Sequence, residues 1–252
     1  MRLKRELREK EKIDAPADQV PFEDYRAAFA AVEWTNRYMG GAGALIGPLE
    51  SLINSRRVSS FNILDVGCGG GDIDVALVEW ARKKELGMTI LGIDSHPHAV
   101  KLAKERTAGY PEINIVLSDV FETKFPDESF DVVVGSLLLH HLSADQLSFF
   151  LWKAYSLSRV GVILTDLRRS RPAHWAAKRI VPRLAPPSAI FNHDAPLSFR
   201  RAYTLKEIRE FLGKGGFPYM ATSPLLSPFR IVLSAERMNP GQGPEGQSGF
   251  KR

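Results

Sequence analysis

An alternation of short apolar runs with segments of helical periodicity is the feature that most constrains this chain. The apolar runs lie at residues 61–66, 89–93, 113–117, 131–135 and 160–165, and the helical segments lie at 72–84, 98–106 and 143–157. Continuously apolar runs are typical of strands buried on both faces of a parallel sheet. The pattern therefore predicts an α/β fold with a doubly wound, mostly parallel sheet and right-handed connections.

The flanking segments add further elements to this doubly wound, Rossmann-like fold. Residues 21–57 contain two helical patterns, and residues 204–212 predict a helix that begins with a capping box of Thr204 and Glu207. Runs at 219–222 and 230–235 bring the predicted sheet to seven strands. We expect an N-terminal helical arm and cap (1–60) that begins with a solvated charged helix, a core (61–167), a basic helical cap insertion (168–203), a closing helix and strands (204–238), and a disordered tail (239–252).

The composition is that of a globular protein, with 252 residues, 44% of them hydrophobic and 25% charged, and a net charge of +5. Cys68 is the single cysteine, which excludes an intrachain disulfide and a cysteine-rich zinc site. The charged N-terminus lacks the apolar core of a secretory signal, and no apolar run reaches the roughly 20 residues of a membrane helix. We expect a cytoplasmic protein that at most contacts an anionic membrane peripherally.

The strongest motif follows the first predicted strand and reads Asp65-Val66-Gly67-Cys68-Gly69-Gly70-Gly71. Glycine is needed where a backbone turns sharply and approaches a ligand closely. The dinucleotide fingerprint would place a glycine at position 72, which is Asp72, and a carboxylate there would repel a pyrophosphate. The motif therefore indicates a ligand without phosphate groups, and S-adenosylmethionine (SAM) has that property.

Three motifs in order resemble the class I SAM-dependent methyltransferases, over residues 61–235. The glycine loop matches their first motif, Asp94 ends the second strand where the family's acidic residue binds the ribose hydroxyls, and Asp119 follows the third strand where the family binds the adenine amino group. The resemblance implies SAM as cofactor and assigns these residues to it: Asp65, Gly67, Cys68, Gly69, Gly71, Asp94, Ser95, Asp119, Val120 and Ser136. Turn or cap roles are the alternative for the three acidic residues.

The methyl acceptor is narrowed by further resemblances. The run Ser136-Leu137-Leu138-Leu139-His140-His141-Leu142 is similar to that of small-molecule methyltransferases of quinone biosynthesis. Amino-nitrogen enzymes carry Asn/Asp-Pro-Pro-Tyr at this place, and carbon-5 pyrimidine enzymes need a catalytic cysteine, whereas the lone cysteine here lies in the glycine loop. We expect methyl transfer to oxygen or carbon of a small aromatic or lipophilic acceptor, quinone- or polyketide-like, with no specific nucleic acid. The alternatives are an RNA or protein methyltransferase that uses its basic surfaces, and a binding protein without catalysis.

A metal requirement is not expected. Catechol methyltransferases hold magnesium with oxygen ligands around the end of the fifth strand. Here Asp166 is followed by Leu167, Arg168 and Arg169, and two guanidinium groups beside one carboxylate oppose a divalent cation.

The insertion and a histidine pair supply candidates for acceptor binding and catalysis. Arg168, Arg169 and Trp175 belong to a basic, partly apolar segment that is suited to closing over an anionic lipophilic acceptor or to resting on anionic lipid. Solvated arginines on a segment fastened by its apolar residues are the alternative. His140 and His141 are candidate general bases, because imidazole titrates near neutrality. Packing beneath the cofactor, with Ser143 capping the next helix, is the alternative for the pair.

Overall fold

The computed structural model describes residues 3–6, 8–56, 59–225 and 227–237. Its centre is a seven-stranded sheet in the order β3-β2-β1-β4-β5-β7-β6. The strands are β1 (Ser60–Val66), β2 (Gly87–Asp94), β3 (Ile113–Leu117), β4 (Phe130–Ser136), β5 (Ser158–Leu167), β6 (Met220–Thr222) and β7 (Arg230–Glu236). β7 runs antiparallel to both of its neighbours, and the other pairs are parallel. The predicted fold class is confirmed.

Helices cover both faces of this sheet. They are α1 (Phe22–Tyr38), α2 (Gly41–Arg56), α3 (Asp72–Lys83), α4 (Pro97–Thr107), α5 (Ala144–Leu157), α6 (Arg171–Arg179), α7 (Val181–Leu184), α8 (Ala189–Arg201) and α9 (Leu205–Lys214). Apolar side chains of α2, α3 and α4 form one core with the sheet, and those of α5 and α9 form another on the opposite face. Burial on both faces explains why the central strands are apolar without alternation.

Local sequence signals define the helix ends. Ser143 and Gln146 form a capping box at the start of α5, and Thr204 and Glu207 form the predicted one at the start of α9. Each box pairs two backbone N–H groups that would otherwise lack partners. The amphipathic pattern of α9 buries Ile208 and Leu212, which lie one turn apart on the same face.

A cover lies over the carboxyl ends of the parallel strands and positions the site. It consists of α1, the insertion helices α6, α7 and α8, and a short 3-10 helix at Lys12–Asp14. α8 packs against α1, α6 and that 3-10 helix. In α/β sheets ligands bind at this edge, so the cover encloses the expected site.

The N-terminal segment differs from the expected solvated helix. The described residues between 3 and 11 carry no helix, and Glu11 is only 5% exposed. The Glu6 N–H donates to the Arg200 carbonyl at 3.0 Å, and Arg5 Nε donates to the Arg201 carbonyl at 2.6 Å. The segment therefore finds its partners on α8 rather than along its own backbone.

Two further expectations concern the C-terminal tail and membrane-spanning helices. The tail at 239–252 lies outside the described residues, so its predicted disorder stays a prediction. Among the helices in the described ranges, none combines the length and the apolar character that crossing a membrane requires.

Candidate functional site

A cavity of about 780 Å³ opens between the glycine loop and the cover. Its wall includes the loop after β1, the ends of β2 and β4, α1, the 3-10 helix at Lys12–Asp14, and residues of α6, α7 and α8. Small-molecule sites are typically concavities of about 300–1,000 Å³. The edge predicted from the sequence is therefore the edge at which the cavity lies.

The glycine loop needs glycine at three positions of left-handed backbone. Gly67, Gly69 and Gly71 have φ angles of +72°, +56° and +73°. A Cβ on Gly69 would also lie 2.7 Å from Cε1 of Phe29 in α1. Gly67 and Gly69 line the cavity, whereas a Cβ on Gly71 would meet Ala103 of α4 at 3.2 Å. Gly71 thus serves the close packing of the loop on α4 rather than the cavity wall.

Asp94 joins the loop to the end of β2. Its Oδ2 accepts the Gly69 N–H at 3.0 Å and its Oδ1 accepts the His96 N–H at 2.8 Å. Burial raises the pKa of Asp94, although these two hydrogen bonds lower it. Each carboxylate oxygen has two lone pairs, so both retain one for a further donor. His96, and not Asp94, is the N-cap of α4, so Asp94 has no capping role, although its bond to the His96 N–H forms a turn.

The six other predicted cofactor residues all line the cavity. These are Asp65, Cys68, Ser95, Asp119, Val120 and Ser136. Asp119 Oδ1 accepts the Phe121 N–H at 2.9 Å, so this carboxylate makes a turn and still faces the cavity. Burial raises the pKa of the Cys68 thiol, which keeps its sulfur protonated and unreactive at neutral pH.

Asp65 and Asp74 form a buried carboxyl pair beneath the loop. Their exposed fractions are 2% and 0%, and Asp65 Oδ1 and both Asp74 oxygens lack hydrogen-bond partners among the described residues. Burial and the charge of Asp74 raise the pKa of Asp65 well above its usual range. Burial also raises the pKa of Asp74 to about 7. One carboxyl of the pair therefore retains a proton at neutral pH.

The histidine pair also lines the cavity, and a carboxylate holds each ring. His140 Nδ1 lies 2.6 Å from Asp166 Oδ1, and the His140 N–H donates to Asp166 Oδ2 at 2.7 Å. His141 Nδ1 lies 2.9 Å from Asp14 Oδ2. The charge and hydrogen bond of His140 lower the pKa of Asp166 despite its burial.

His141 is positively charged at neutral pH. Burial lowers its pKa, but the hydrogen bond to Asp14 and the charge of Glu11 outweigh this and raise it to about 9. A protonated imidazole cannot accept a proton, so His141 is the weaker of the two predicted bases. A general-base role for either histidine stays a prediction.

Four further polar residues of the wall were missed by sequence reasoning. Glu11 and Asp14 come from the N-terminal segment, which its charge pattern presented as solvated. Arg230 Nη2 donates to Asn36 Oδ1 at 2.8 Å, while Arg230 Nη1 is buried without a hydrogen-bond partner among the described residues. Burial lowers the pKa of Arg230 to about 10, which leaves it charged at neutral pH. No local motif marks these positions, because they are far apart in sequence.

The three predicted acceptor-binding residues are not in the wall of the main cavity. Arg168 Nη1 donates to Ser223 Oγ at 3.1 Å. Arg169 is buried, donates to the Ala202 carbonyl at 2.7 Å and pairs with Glu207. Trp175 is 59% exposed on α6. The structure thus corrects their placement: the two arginines fasten β5 to the C-terminal elements, and Trp175 faces solvent.

Two features define a class I SAM-dependent methyltransferase fold. One is the strand order with an antiparallel seventh strand, and the other is an acidic glycine loop after β1 that is hydrogen-bonded to Asp94 at the end of the adjacent β2. Residues 63–161 match the model of the family described as "Methyltransferase domain". This match covers 99 of the 252 residues and supports the predicted resemblance to the SAM-dependent methyltransferases, whose cofactor is SAM.

Two curated relatives illustrate the sequence similarity. An uncharacterized methyltransferase of Synechocystis sp. is 29% identical over 57% of this chain and 59% of its own length. A demethylmenaquinone methyltransferase of Staphylococcus aureus is 39% identical over 28% of each chain. This chain therefore spans less than two thirds of the length of either relative.

Two solved structures share the fold. A plantazolicin methyltransferase, in complex with a pentazolic desmethylPZN analog and S-adenosylhomocysteine (SAH), is 15% identical, covers 88% of this chain and 87% of its own, and has a TM-score of 0.57. The magnesium protoporphyrin IX methyltransferase of Synechocystis PCC 6803 with bound SAH is 19% identical over 90% and 91% of the two chains, with a TM-score of 0.53. At these identities the likeness concerns the fold alone.

Proposed function

We propose that this chain transfers a methyl group from SAM to an oxygen or carbon atom of a small aromatic or lipophilic acceptor. The observation that carries the proposal is the 780 Å³ cavity, which the glycine loop and Asp94 share with an apolar cover. When bound, SAM supplies an activated methyl group on a sulfonium. The protein then has to hold the acceptor in line with that group and exclude water.

The cofactor half of the cavity combines close backbone approach with carboxylate acceptors. Gly67 and Gly69 allow a ligand to lie against the loop backbone, since neither carries a Cβ. Asp94 has free lone pairs for hydroxyl donors, and Asp119 stands at the neighbouring strand end. Asp65 adds a buried carboxyl oxygen without a partner among the described residues, which suits a cationic or N–H group.

The acceptor half is apolar with one buried cation. Its apolar wall is formed by Val32, Met39, Val181, Phe191, Phe199 and Phe229. Arg230 enters this wall from β7 with Nη1 unpaired among the described residues, so it offers a charged donor to an anionic oxygen. We assign to Arg230 the anion recognition that the sequence suggested for Arg168 and Arg169.

The cover favours a small acceptor over RNA or protein. α1 and α8 pack together above the glycine loop, and the Phe29 ring lies against Gly69. A macromolecular side chain or base would have to pass between these helices. Modification of RNA or protein remains the alternative outcome of the experiment below.

Calorimetric titration with SAM and SAH tests the cofactor, and Asp94→Asn tests its site. Loss of a charge-assisted hydrogen bond costs about 1.5–3 kcal/mol, so we expect SAM affinity to fall roughly 10- to 100-fold. Asp127→Asn, in an exposed turn, is the matched control and should bind as the wild type does. Absence of SAM and SAH binding by the folded wild type would refute the proposal.

Incubation with labelled SAM and fractionated extract identifies the acceptor. We expect label in a small apolar product, and Arg230→Gln should raise KM for an anionic acceptor while SAM affinity changes little. Label recovered in RNA or protein instead would establish the alternative.

We also propose peripheral contact with anionic membrane through the outer face of α6 and α7. Trp175, Ile180 and Leu184 are exposed there, with relative exposures of 59%, 41% and 61%. Exposed cations surround them, namely Arg171, Lys178, Arg179 and Arg183. Apolar residues framed by cations are the composition that binds an anionic lipid surface.

A further inference from the structure

A second group of polar side chains lines the cavity. Glu11, His140 and His141 place one possible ligand atom each within 4.8 Å of one another. Glu11 Oε1 lies 3.5 Å from His140 Nε2, and Glu11 Oε2 lies 4.0 Å from His141 Nε2. We propose that these three residues bind a divalent first-row transition-metal ion.

The carboxylates behind both rings direct their free nitrogens inward. Asp166 and Asp14 hold Nδ1 of His140 and of His141 at 2.6 and 2.9 Å. A carboxylate only accepts hydrogen bonds, so each Nδ1 carries a proton and Nε2 is the ring nitrogen that faces Glu11. A metal ion that binds there displaces any proton on Nε2. Histidines that bind metals in proteins are held by carboxylates in this way.

Glu11 supplies the second, independent observation. The side chain is 4% exposed, and Ser198 Oγ donates to Oε2 at 2.8 Å. Oε1 is buried and has no hydrogen-bond partner among the described residues, although it faces both His140 Nε2 and, at 3.6 Å, Arg201 Nε. A buried carboxylate oxygen without a partner is costly, and a bound cation removes that cost.

The two separations from Glu11 are near those between ligands of a tetrahedral ion. Metal–nitrogen and metal–oxygen bonds of about 2.0–2.1 Å place neighbouring tetrahedral ligands about 3.4 Å apart. The observed separations from Glu11 of 3.5 and 4.0 Å lie close to that value.

Acidic side chains lie on several sides of the site. Three carboxylates, of Glu11, Asp14 and Asp166, surround the two rings. Arg201 is the guanidinium in contact with them, and its N–H groups donate to the carbonyls of Glu9, His140 and His141.

The donor set decides which ions fit. Two imidazole nitrogens and one carboxylate suit Zn²⁺, Fe²⁺, Co²⁺ or Ni²⁺, whereas Mg²⁺ and Ca²⁺ prefer oxygen ligands throughout. The sequence-based expectation of no metal concerned only oxygen ligands after β5. It did not include Glu11, because that residue lies 129 residues before His140 in the chain. The proposal replaces that expectation.

The site is of the open kind. Three protein ligands leave a coordination position free, and all three residues line the cavity rather than a closed core. A hydroxyl or anionic oxygen of an acceptor is the ligand chemistry that such a position takes. This last step rests on the proposed function, whereas the binding of the ion does not.

Zinc binding to the full chain, after treatment with a chelator, tests the proposal. Binding is measured by competition with a fluorescent indicator at about pH 8, where the metal competes well with protons for the ligand atoms. We expect one equivalent bound to the wild type. Glu11→Gln and His141→Gln should weaken binding about 100-fold or more, and Asp14→Asn, which removes only a partner of a ligand, roughly 10- to 100-fold.

His193→Gln is the matched control. His193 also lies between two carboxylates, with Nδ1 2.6 Å from Asp194 and Nε2 3.3 Å from Glu9, but it is outside the cluster. It should bind zinc as the wild type does. Glu11→Gln preserves the shape of the side chain. If His141→Gln fails to fold, the Glu11 variant alone still decides the test.

Two results would overturn the proposal: no stoichiometric zinc on the wild type, or zinc binding that Glu11→Gln and His141→Gln leave unchanged. Co²⁺ spectra give a further readout, since tetrahedral coordination produces strong visible bands that the same variants should abolish. SAH calorimetry on the same samples reports the cofactor site separately, so a failure of the metal proposal is distinguishable from a failure of the methyltransferase proposal.

Discussion

Replacing Asp74 by asparagine should stabilise the protein at neutral pH and remove part of its pH dependence. Asp74 is fully buried in the first turn of α3 beside Asp65, and burial raises its pKa from 3.8 to about 7. Between these two pH values the folded state keeps a proton that the unfolded chain has released. The stabilisation that the Asp74 proton contributes is therefore fully present below about pH 4, and it is lost as the pH rises to about 7.

The shift sets the size of the effect. One pKa unit corresponds to about 1.36 kcal/mol, so a shift of roughly three units destabilises the protein by about 4 kcal/mol above pH 7. Between about pH 5 and pH 8 the wild type should lose about 3 kcal/mol of its free energy of unfolding through Asp74. The asparagine variant does not titrate and should lack this loss.

Urea unfolding followed by tryptophan fluorescence at about pH 5 and pH 8 measures both quantities. The variant is compared with the wild type at each pH, so that titrating groups outside the Asp65–Asp74 pair cancel. Asp127→Asn, in an exposed turn, should follow the wild type at both values. If Asp74→Asn loses as much stability between the two pH values as the wild type does, the assignment of a retained proton to this buried pair is refuted.

Three further predictions concern the loop, a cap and the surface. Gly69→Ala should abolish SAM binding measurable by calorimetry, because the added Cβ would lie 2.7 Å from the Phe29 ring on a backbone with φ of +56°. Gly109→Ala is the control and should bind SAM normally, because an added Cβ there has nothing within 4 Å. Thr204→Ala should lower the free energy of unfolding by about 1 kcal/mol through loss of the α9 cap, and an unchanged urea midpoint would contradict the observed box. Trp175→Ser should reduce co-sedimentation with anionic vesicles about 10-fold or more, because burying a large apolar side chain contributes roughly 1.5–3 kcal/mol. If the wild type binds neutral vesicles as well as anionic ones, the membrane proposal is contradicted.

Local patterns were enough for the central fold and for the cofactor side of the site. The strand at 113–117 was predicted with its observed bounds, and the capping box at Thr204 is present as predicted. Gly67, Gly69 and Asp94 meet because they follow parallel strands whose carboxyl ends share one edge of the sheet. In such a sheet, order along the chain already determines proximity.

The acceptor side depends on contacts that no local pattern contains. The charge run that holds Glu11 is indistinguishable in sequence from a solvated arm, yet backbone and side-chain bonds to Arg200 and Arg201 of α8 bring it to the histidine pair. Arg169 follows a strand end as a ligand-binding residue would, but Glu207 and the Ala202 carbonyl occupy its donors.

The sequence by itself determined the parallel sheet, the glycine turn and the acidic partners of that turn, because hydrophobic periodicity and backbone freedom act within a few residues. Only the tertiary structure decided which charges are buried and which partners they have. Burial depends on the packing of segments far apart in the chain, and it is burial that gives Asp74, Glu11 and Arg230 their chemistry.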